Sequence, residues 1–343
     1  MLLGFLFMIV LACLAIGYSY LFKGRFFARQ SLVIDLPFDI VSENLKDLSN
    51  WPQWIPWLLF EPNTKVHYDY SHAGETTLLP SCLSWKGKLI KEGYILMEPA
   101  RSSASYCHAV IEANAFYPRD VFLSIDLTKQ GSHTGINLQL TGSVPFLLRY
   151  KTALLKIRAN KDLELSLLRL NAHLVQYSQR TDYEFADPSY TFLETKQLGH
   201  FDAVTRPFTA KDQSISQKIE QGFHDLFTAL GPQNPTTGHR FTLYTKADPI
   251  HHDFEGVLGV LVQNVEPCDL HPERITLNGT YLQLLYHGSY QHLSLAWHVI
   301  HNMMRLQGHR PDKKHPSIEI YEMGPGQTNS PKEYMTKVCL PIK

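Results

Sequence analysis

The chain of 343 residues has no excess of charge of either sign: Lys plus Arg and Asp plus Glu number 32 each, so the formal net charge is zero. A nucleic-acid binder carries a basic excess or a basic stripe, and neither is suggested here, so nucleic acid is not an expected partner. Cysteine is sparse. Cys13, Cys82, Cys107, Cys268 and Cys339 form an odd set without a C-x-x-C pair. That argues against a disulfide framework or a zinc ribbon and suits a reducing compartment. There is no Walker loop, no G-x-G-x-x-G and no H-E-x-x-H. The 17 histidines include His298 and His301 at i, i+3 and the adjacent His251 and His252. They lack a third ligand at useful spacing, so no metal is assigned and no cofactor is expected.

What is present is an ordinary globular composition, 44% hydrophobic and 19% charged. This is too apolar for a disordered chain and too polar for a multi-span membrane protein. Single cores stop growing near roughly 250–300 residues, so the length predicts two domains. The one long apolar run, residues 1–22, holds no charged side chain. As a helix it would extend about 33 Å, enough for a hydrocarbon core of ~30 Å. Positive charges follow it at Lys23, Arg25 and Arg29 rather than precede it, and Phe26-Phe27 stands where a cleaved signal peptide wants small residues. The expectation is a single transmembrane anchor over 1–22, with the globular part on the cytoplasmic side.

Residues 30–178 read as a first domain. Alternation over Arg29–Asp35 places Leu32, Ile34 and Leu36 on one strand face, and Asp39–Leu48 reads as a short amphipathic helix. The segment Asn50-Trp51-Pro52-Gln53-Trp54-Ile55-Pro56-Trp57 carries three of the five tryptophans, and its prolines exclude a regular helix. Strands are predicted at Ser84–Leu89, Tyr94–Met97, Ala104–Ile111, Val121–Thr128 and Thr134–Leu140. A long helix follows from Phe146 to about Gln176, with Leu147, Tyr150, Leu154, Leu155, Ile157, Leu163, Leu167 and Leu170 at helical spacing. The Asp47–Trp57 segment, Trp85 with Gly87, and Val144-Pro145-Phe146 leading to Arg149 resemble the SRPBCC (START-like, polyketide-cyclase-like) superfamily. That resemblance implies a curved sheet wrapped on a helix around an apolar cavity. No catalytic constellation is suggested in this part, whose carboxylates are scattered.

Residues 188–343 contain two weak copies of one pattern. In the first, strands Thr191–Leu198 and Phe201–Phe208 precede a helix opened by the capping-box spacing Ser214-Ile215-Ser216-Gln217 and closed by Gly231-Pro232. Its apolar face is Ile215, Ile219, Phe223, Leu226, Phe227 and Leu230, and strands Arg240–Lys246 and Gly256–Gln263 complete the copy. In the second, strands Ile275–Leu277 and Tyr281–Tyr286 lead to a helix with Leu293, Ala296, Trp297, Ile300 and Met304 on one face. Strands Ser317–Glu322 and Met335–Ile342 finish it. Phe241-Thr242-Leu243-Tyr244 and Ile318-Glu319-Ile320-Tyr321 occupy equivalent places.

The run from Tyr281 through His287-Gly288-Ser289-Tyr290, the helix through Trp297 to Gln307-Gly308, Glu319-Ile320-Tyr321 and the terminal Met335–Ile342 resemble the GyrI-like (SOUL-type, effector-binding) family. That family is best known from multidrug-sensing bacterial transcription regulators. The resemblance implies a duplicated βαββ fold with a small-molecule groove between its halves, the glutamate facing the ligand. The overall expectation is therefore an α+β protein with a transmembrane helix, a helix-grip domain and a GyrI-like domain.

On a strand, Glu319 and Tyr321 share one face while Ile318 and Ile320 take the other. A carboxylate among aromatic rings suits a lipophilic cation. Glu319, Tyr321, Trp297, Tyr290, Tyr244 and Tyr281 are the candidate ligand-binding residues. The leading reading is a membrane-tethered binder or sensor of a hydrophobic, cationic small molecule, with no enzymatic activity assigned. One alternative is a hydrolase of strained or electrophilic apolar compounds using Glu319 and Tyr321 as acid and base. Another is an adaptor with a protein partner.

Overall fold

The computed structural model describes residues 17, 21–70, 79–98, 107–178, 188–211, 215–231, 240–248, 253–261, 273–324 and 327–343. The chain divides into two compact units, Met1–Phe185 and Ala186–Lys343. Both are α+β, each built on one antiparallel sheet. Among the described residues no helix is long and apolar enough to cross a membrane. The apolar run 1–22 lies outside them, save for Gly17 and residues 21–22.

The first unit is a seven-stranded sheet of β1 (Arg25–Ile34), β2 (Val66–Asp69), β3 (Cys82–Lys86), β4 (Glu92–Glu98), β5 (Cys107–Ala113), β6 (Val121–Gln130) and β7 (His133–Ser143). Spatial order is β1-β7-β6-β5-β4-β3-β2, so only the first strand leaves chain order, pairing with the last from Arg25↔Ser143 to Ile34↔Thr134. β6 and β7 turn through Gly131 and Ser132, with Gly131 at φ +65° as a two-residue hairpin requires. The short α1 (Phe38–Lys46) buries Val41 and Leu45. The long α2 (Thr152–Tyr177) closes the unit and packs on β1 and β7. A 3-10 turn over Phe146–Lys151 leads into α2. Two corrections to the sequence reading arise here. The strand β2 was not foreseen. Of the apolar positions assigned to the start of the long helix, Leu155 is buried, but Leu147, Tyr150, Leu154 and Ile157 are exposed.

The Trp51–Trp57 segment folds as two 3-10 turns, Leu48–Gln53 and Trp57–Phe60, the short helices that chain with proline at 52 and 56 still permits. All three tryptophans are buried. Trp51 Nε1 donates to the Leu45 carbonyl at 3.0 Å. Arg169 on α2 donates to the carbonyls of Gln53 at 2.8 Å and Ile55 at 3.2 Å, stitching the segment to the closing helix.

The second unit is an eight-stranded sheet. Its two copies are β9 (His200–Lys211), α3 (Ile215–Leu230), β10 (Arg240–Asp248), β11 (Asp253–Leu261), and β13 (Thr280–His287), α4 (Leu293–Leu306), β14 (Ser317–Met323), β15 (Met335–Ile342). They are preceded by β8 (Ser189–Gln197) and β12 (Glu273–Thr276). The order β12-β9-β11-β10-β14-β15-β13-β8 is symmetric about the β10–β14 seam. The leading strands are exchanged: β8 precedes the first copy yet pairs with β13 of the second, and β12 precedes the second yet pairs with β9 of the first. Ser214 of the expected capping box, Pro232, His251, His252 and the end of the strand predicted to Gln263 lie outside the described residues.

Strand alternation separates two cores. One face of the sheet buries Phe241, Leu243, Leu277, Tyr281, Ile318 and Cys339. The other buries Phe208, Tyr244, Leu258, Val260 and Tyr321 with Phe223, Leu226 and Leu230 of α3. The buried stripe of α4 is Leu295, Ala296, Val299, Ile300, Asn302 and Met303. It is rotated from the expected stripe, leaving Leu293, Trp297 and Met304 only partly buried.

Candidate functional site

At the centre of the symmetric seam, Thr242 of β10 is paired directly with Glu319 of β14, and Arg240 with Tyr321. Directly paired residues of antiparallel strands share a face. Thr242, Tyr244, Glu319 and Tyr321 are therefore gathered on one side, two from each copy. The carboxylate occurs in one copy only; Thr242 holds the equivalent position in the other.

Glu319 is 3% exposed. Its Oε2 accepts from Tyr321 Oη at 2.6 Å and from Tyr244 Oη at 2.9 Å, and its Oε1 accepts from Trp297 Nε1 at 2.6 Å. Thr242 Oγ1 lies 3.0 Å from the Tyr321 hydroxyl, and since that hydroxyl donates to Glu319, the threonine donates to it. The two helices mirror each other over this group. Phe223 of α3 meets the Tyr321 ring edge-on at 5.8 Å, and Trp297 of α4 meets the Tyr244 ring edge-on at 5.9 Å. Each helix thus packs an aromatic ring on the tyrosine of the other copy. Tyr290 closes one flank, 5.4 Å from Tyr321 and 4.8 Å from Tyr334.

Burial sets the electrostatics. Loss of solvation raises the pKa of Glu319 above its ordinary value of 4.5, and the hydrogen bonds from Tyr321, Trp297 and Tyr244 pull the other way without cancelling it. Burial, reinforced by the Glu319 charge, lifts Tyr244 and Tyr321 well above 10, so both remain neutral donors. Burial also pushes Tyr290 up to about 12. The partners of Glu319 among the described residues are all uncharged. An ionised carboxylate with neutral donors and no cation is an incompletely compensated buried charge.

The structure brings together Glu319, Tyr321, Tyr244 and Trp297, with Tyr290 at their edge. Tyr281 is not among them. It lies in the core on the opposite face of the sheet, its hydroxyl buried without a partner and raised to about 12 by burial. Its place on β13, where Tyr281 faces Pro341 of β15 on the far layer, was not visible from spacing alone. Sequence reasoning also passed over Thr242, whose only signal was its equivalence to Glu319 across the duplication, and Phe223, read simply as core.

In the first unit a small space lies between sheet and closing helix among the described residues. The space lined by Trp54, Trp57, Ile111, Leu138, Asp162 and Ser166 amounts to about 10 Å³, at the lower limit for a single water. A hydrophobic small molecule does not fit there without repacking. Asp162, 2% exposed, accepts from Tyr117 Oη at 2.5 Å and from Trp57 Nε1 at 3.4 Å. It is a buried carboxylate the sequence reading missed. Its signal was a lone aspartate on the apolar stripe between Ala159 and Ser166.

No family model matches the chain, and no curated protein is similar to it. Among solved structures, the EcmrR C-terminal domain is 18% identical over 45% of this chain and 98% of its own, with a TM-score of 0.36. A START superfamily protein from Mycobacterium smegmatis is 15% identical over 44% of this chain and 98% of its own, with a TM-score of 0.34. SAV2435 bound to tetraphenylphosphonium is 17% identical over 45% of this chain and 94% of its own, with a TM-score of 0.32. At such distances these likenesses say nothing about which residues bind.

Proposed function

We propose that the second unit binds a hydrophobic small molecule carrying a positive charge, with Glu319 as its counter-ion and the rings of Tyr244, Tyr290, Trp297 and Tyr321 as its apolar and cation–π surface. The protein acts by capture or sensing. The observation that carries this reading is the buried Glu319 carboxylate, satisfied by three neutral donors and by no cation among the described residues. A bound cation supplies the missing charge, and a ring face within about 6 Å contributes about 0.5–2 kcal/mol more. Glu319 lies beneath the partly buried Trp297 and Tyr290, so entry requires one of these side chains to swing aside. The ligand then binds the open arrangement better than the closed one. Residues 1–22 are assigned as a single membrane span that holds the 30–178 and 188–343 domains on the cytosolic side, in keeping with the cations that follow the run.

The test is thermal unfolding of the protein with tetraphenylphosphonium as the probe cation, wild type beside Glu319→Gln. At about a hundred times its dissociation constant a ligand adds ~2.7 kcal/mol. Stabilisation of wild type alone supports the assignment, and equal stabilisation of both proteins removes Glu319 from it. A second reading, hydrolysis with Tyr321 and Glu319 as proton donor and acceptor, is favoured by their 2.6 Å contact. Consumption of a candidate electrophile by wild type but not by Glu319→Gln would establish it.

A further inference from the structure

The long closing helix of the first unit changes character along its length. From Asp162 to Leu174 it is buried almost all round. Its approach and first turns are not: Leu147, Tyr150, Leu154 and Ile157 are 65, 48, 53 and 38% exposed. These positions follow i, i+3, i+7 and i+10, so they form one apolar stripe facing water. The same stretch, 146–161, carries Arg149, Lys151, Lys156, Arg158 and Lys161 and no carboxylate. Across a chain of zero net charge this is a locally basic amphipathic surface, the stripe that composition did not reveal.

The surface is fastened to the residues that follow the apolar run. Val144 N–H donates to the Gly24 carbonyl at 2.9 Å, and the Thr152 hydroxyl lies 2.8 Å from the Lys23 carbonyl and 2.6 Å from that of Arg149, sharing its one proton between them. Arg149 closes over Gly24 so tightly that a Cβ there would sit 2.8 Å from its Nε. Lys23 and Arg25 are exposed beside it, and Leu21 is 79% exposed. The chain therefore leaves its uncharged run where exposed leucines and a basic cluster already lie side by side.

We propose that this face, centred on Leu147, Tyr150, Leu154 and Ile157, lies on an anionic lipid bilayer. The apolar side chains enter the boundary between headgroups and acyl chains, and Lys151 and Lys156 stay at the level of the lipid phosphates. Tyr150 is suited to that boundary by its amphipathic ring, and lysine by its long apolar stem. A helix with an exposed apolar stripe flanked by exposed lysines, here Lys151 and Lys156, is the form that binds an interface rather than spanning it. Lys161 is ion-paired with Glu164, and Arg158 donates to the Phe116 carbonyl. Charge complementarity selects acidic lipid headgroups over a protein partner of mixed charge. The proposal does not depend on the Glu319 site.

The test is photo-crosslinking of the full chain in vesicles of phosphatidylcholine, with and without added phosphatidylglycerol. A photoreactive amino acid stands at Leu154 or, as a control, at the exposed Glu220 of α3. The expected result is phospholipid adducts at 154 and not at 220, more abundant in the mixed vesicles. Combining Lys151→Gln with Lys156→Gln should cut them about thirtyfold, the product of two lysines each held by about 1 kcal/mol to acidic lipid. Three results would overturn the proposal: no lipid adduct at 154, adducts at 154 indifferent to acidic lipid and to both lysines, or crosslinks at 154 to a second copy of the protein instead of lipid.

Discussion

A carboxylate sealed from water loses solvation that three neutral donors replace only in part, and Glu319 shows the consequence in its raised proton affinity. The sign of the resulting pH dependence follows from linkage. Because the folded-state pKa is above the unfolded one, the native chain holds more protons between the two values. The stability this group contributes is fully present below about 4.5 and is lost as pH rises through the elevated native value. Denaturant titrations of wild type and Glu319→Gln at several pH values test this. The stability difference between the two should shift against wild type as pH rises from 4, and a constant difference would mean that Glu319 titrates normally. The donors are open to the same approach. Tyr321→Phe removes one of the two hydrogen bonds to Oε2 and should cost about 1–3 kcal/mol in urea unfolding, because the acceptor left behind is buried. Tyr244→Phe should behave similarly. The double variant should depart from additivity, since both hydroxyls meet one oxygen.

At the scale of elements, most of what could be read was periodicity. Alternation placed Glu319 and Tyr321 on one face and Ile318 on the other, and the sheet places them so. Helical spacing could say that α2 and α4 have apolar stripes but not what covers them. In α4 the buried stripe turned toward Leu295 and Val299, which tips Trp297 to the helix edge where its indole N–H reaches Glu319. In α2 one apolar series runs into solvent and the next is enclosed. Leu154→Ala should therefore change stability by no more than about 0.5 kcal/mol. Leu163→Ala, from the enclosed half, should cost about 2–5 kcal/mol. Urea midpoints decide both, and comparable losses would contradict the burial contrast. The β10–β11 pair beside the seam is sensitive too. Gly259 faces Phe241 across β10 and β11, and a Cβ there would come within 2.0 Å of the ring. Gly259→Ala should thus destabilise by about 1–3 kcal/mol through overpacking. The strands β8 and β12 were legible, but their exchange between the copies was not, because pairing between distant strands leaves no local signal. The four-residue β2, partly exposed, is too short to alternate legibly.

At the scale of the whole molecule, the duplication has a physical use. Two copies joined antiparallel at β10 and β14 bring one equivalent pair, Thr242 and Glu319, face to face at the centre of the seam. A carboxylate in both would set two like charges at contact in a buried place, whereas threonine opposite glutamate avoids that repulsion and adds a hydroxyl to the network. Symmetry made the equivalence of the Thr242 and Glu319 segments legible in the sequence, and the structure adds that they pair. The loss of symmetry in side-chain chemistry is what concentrates charge at one point. The space lined by Trp54 and Trp57 in the first unit is small for a reason sequence does not display. Trp54, Trp57 and the leucines around Asp162 fill the space between sheet and helix.

The most direct test of the central claim is calorimetric titration of tetraphenylphosphonium into wild type and Glu319→Gln, in two buffers of different ionisation enthalpy near pH 5. If the cation pairs with Glu319, it binds wild type with release of a fraction of a proton, because it favours the ionised carboxylate over the protonated one. Glu319→Gln then binds weakly or not at all and releases none. Equal affinity for the two proteins, or tight binding to wild type with no proton released, would contradict a site built on the Glu319 carboxylate.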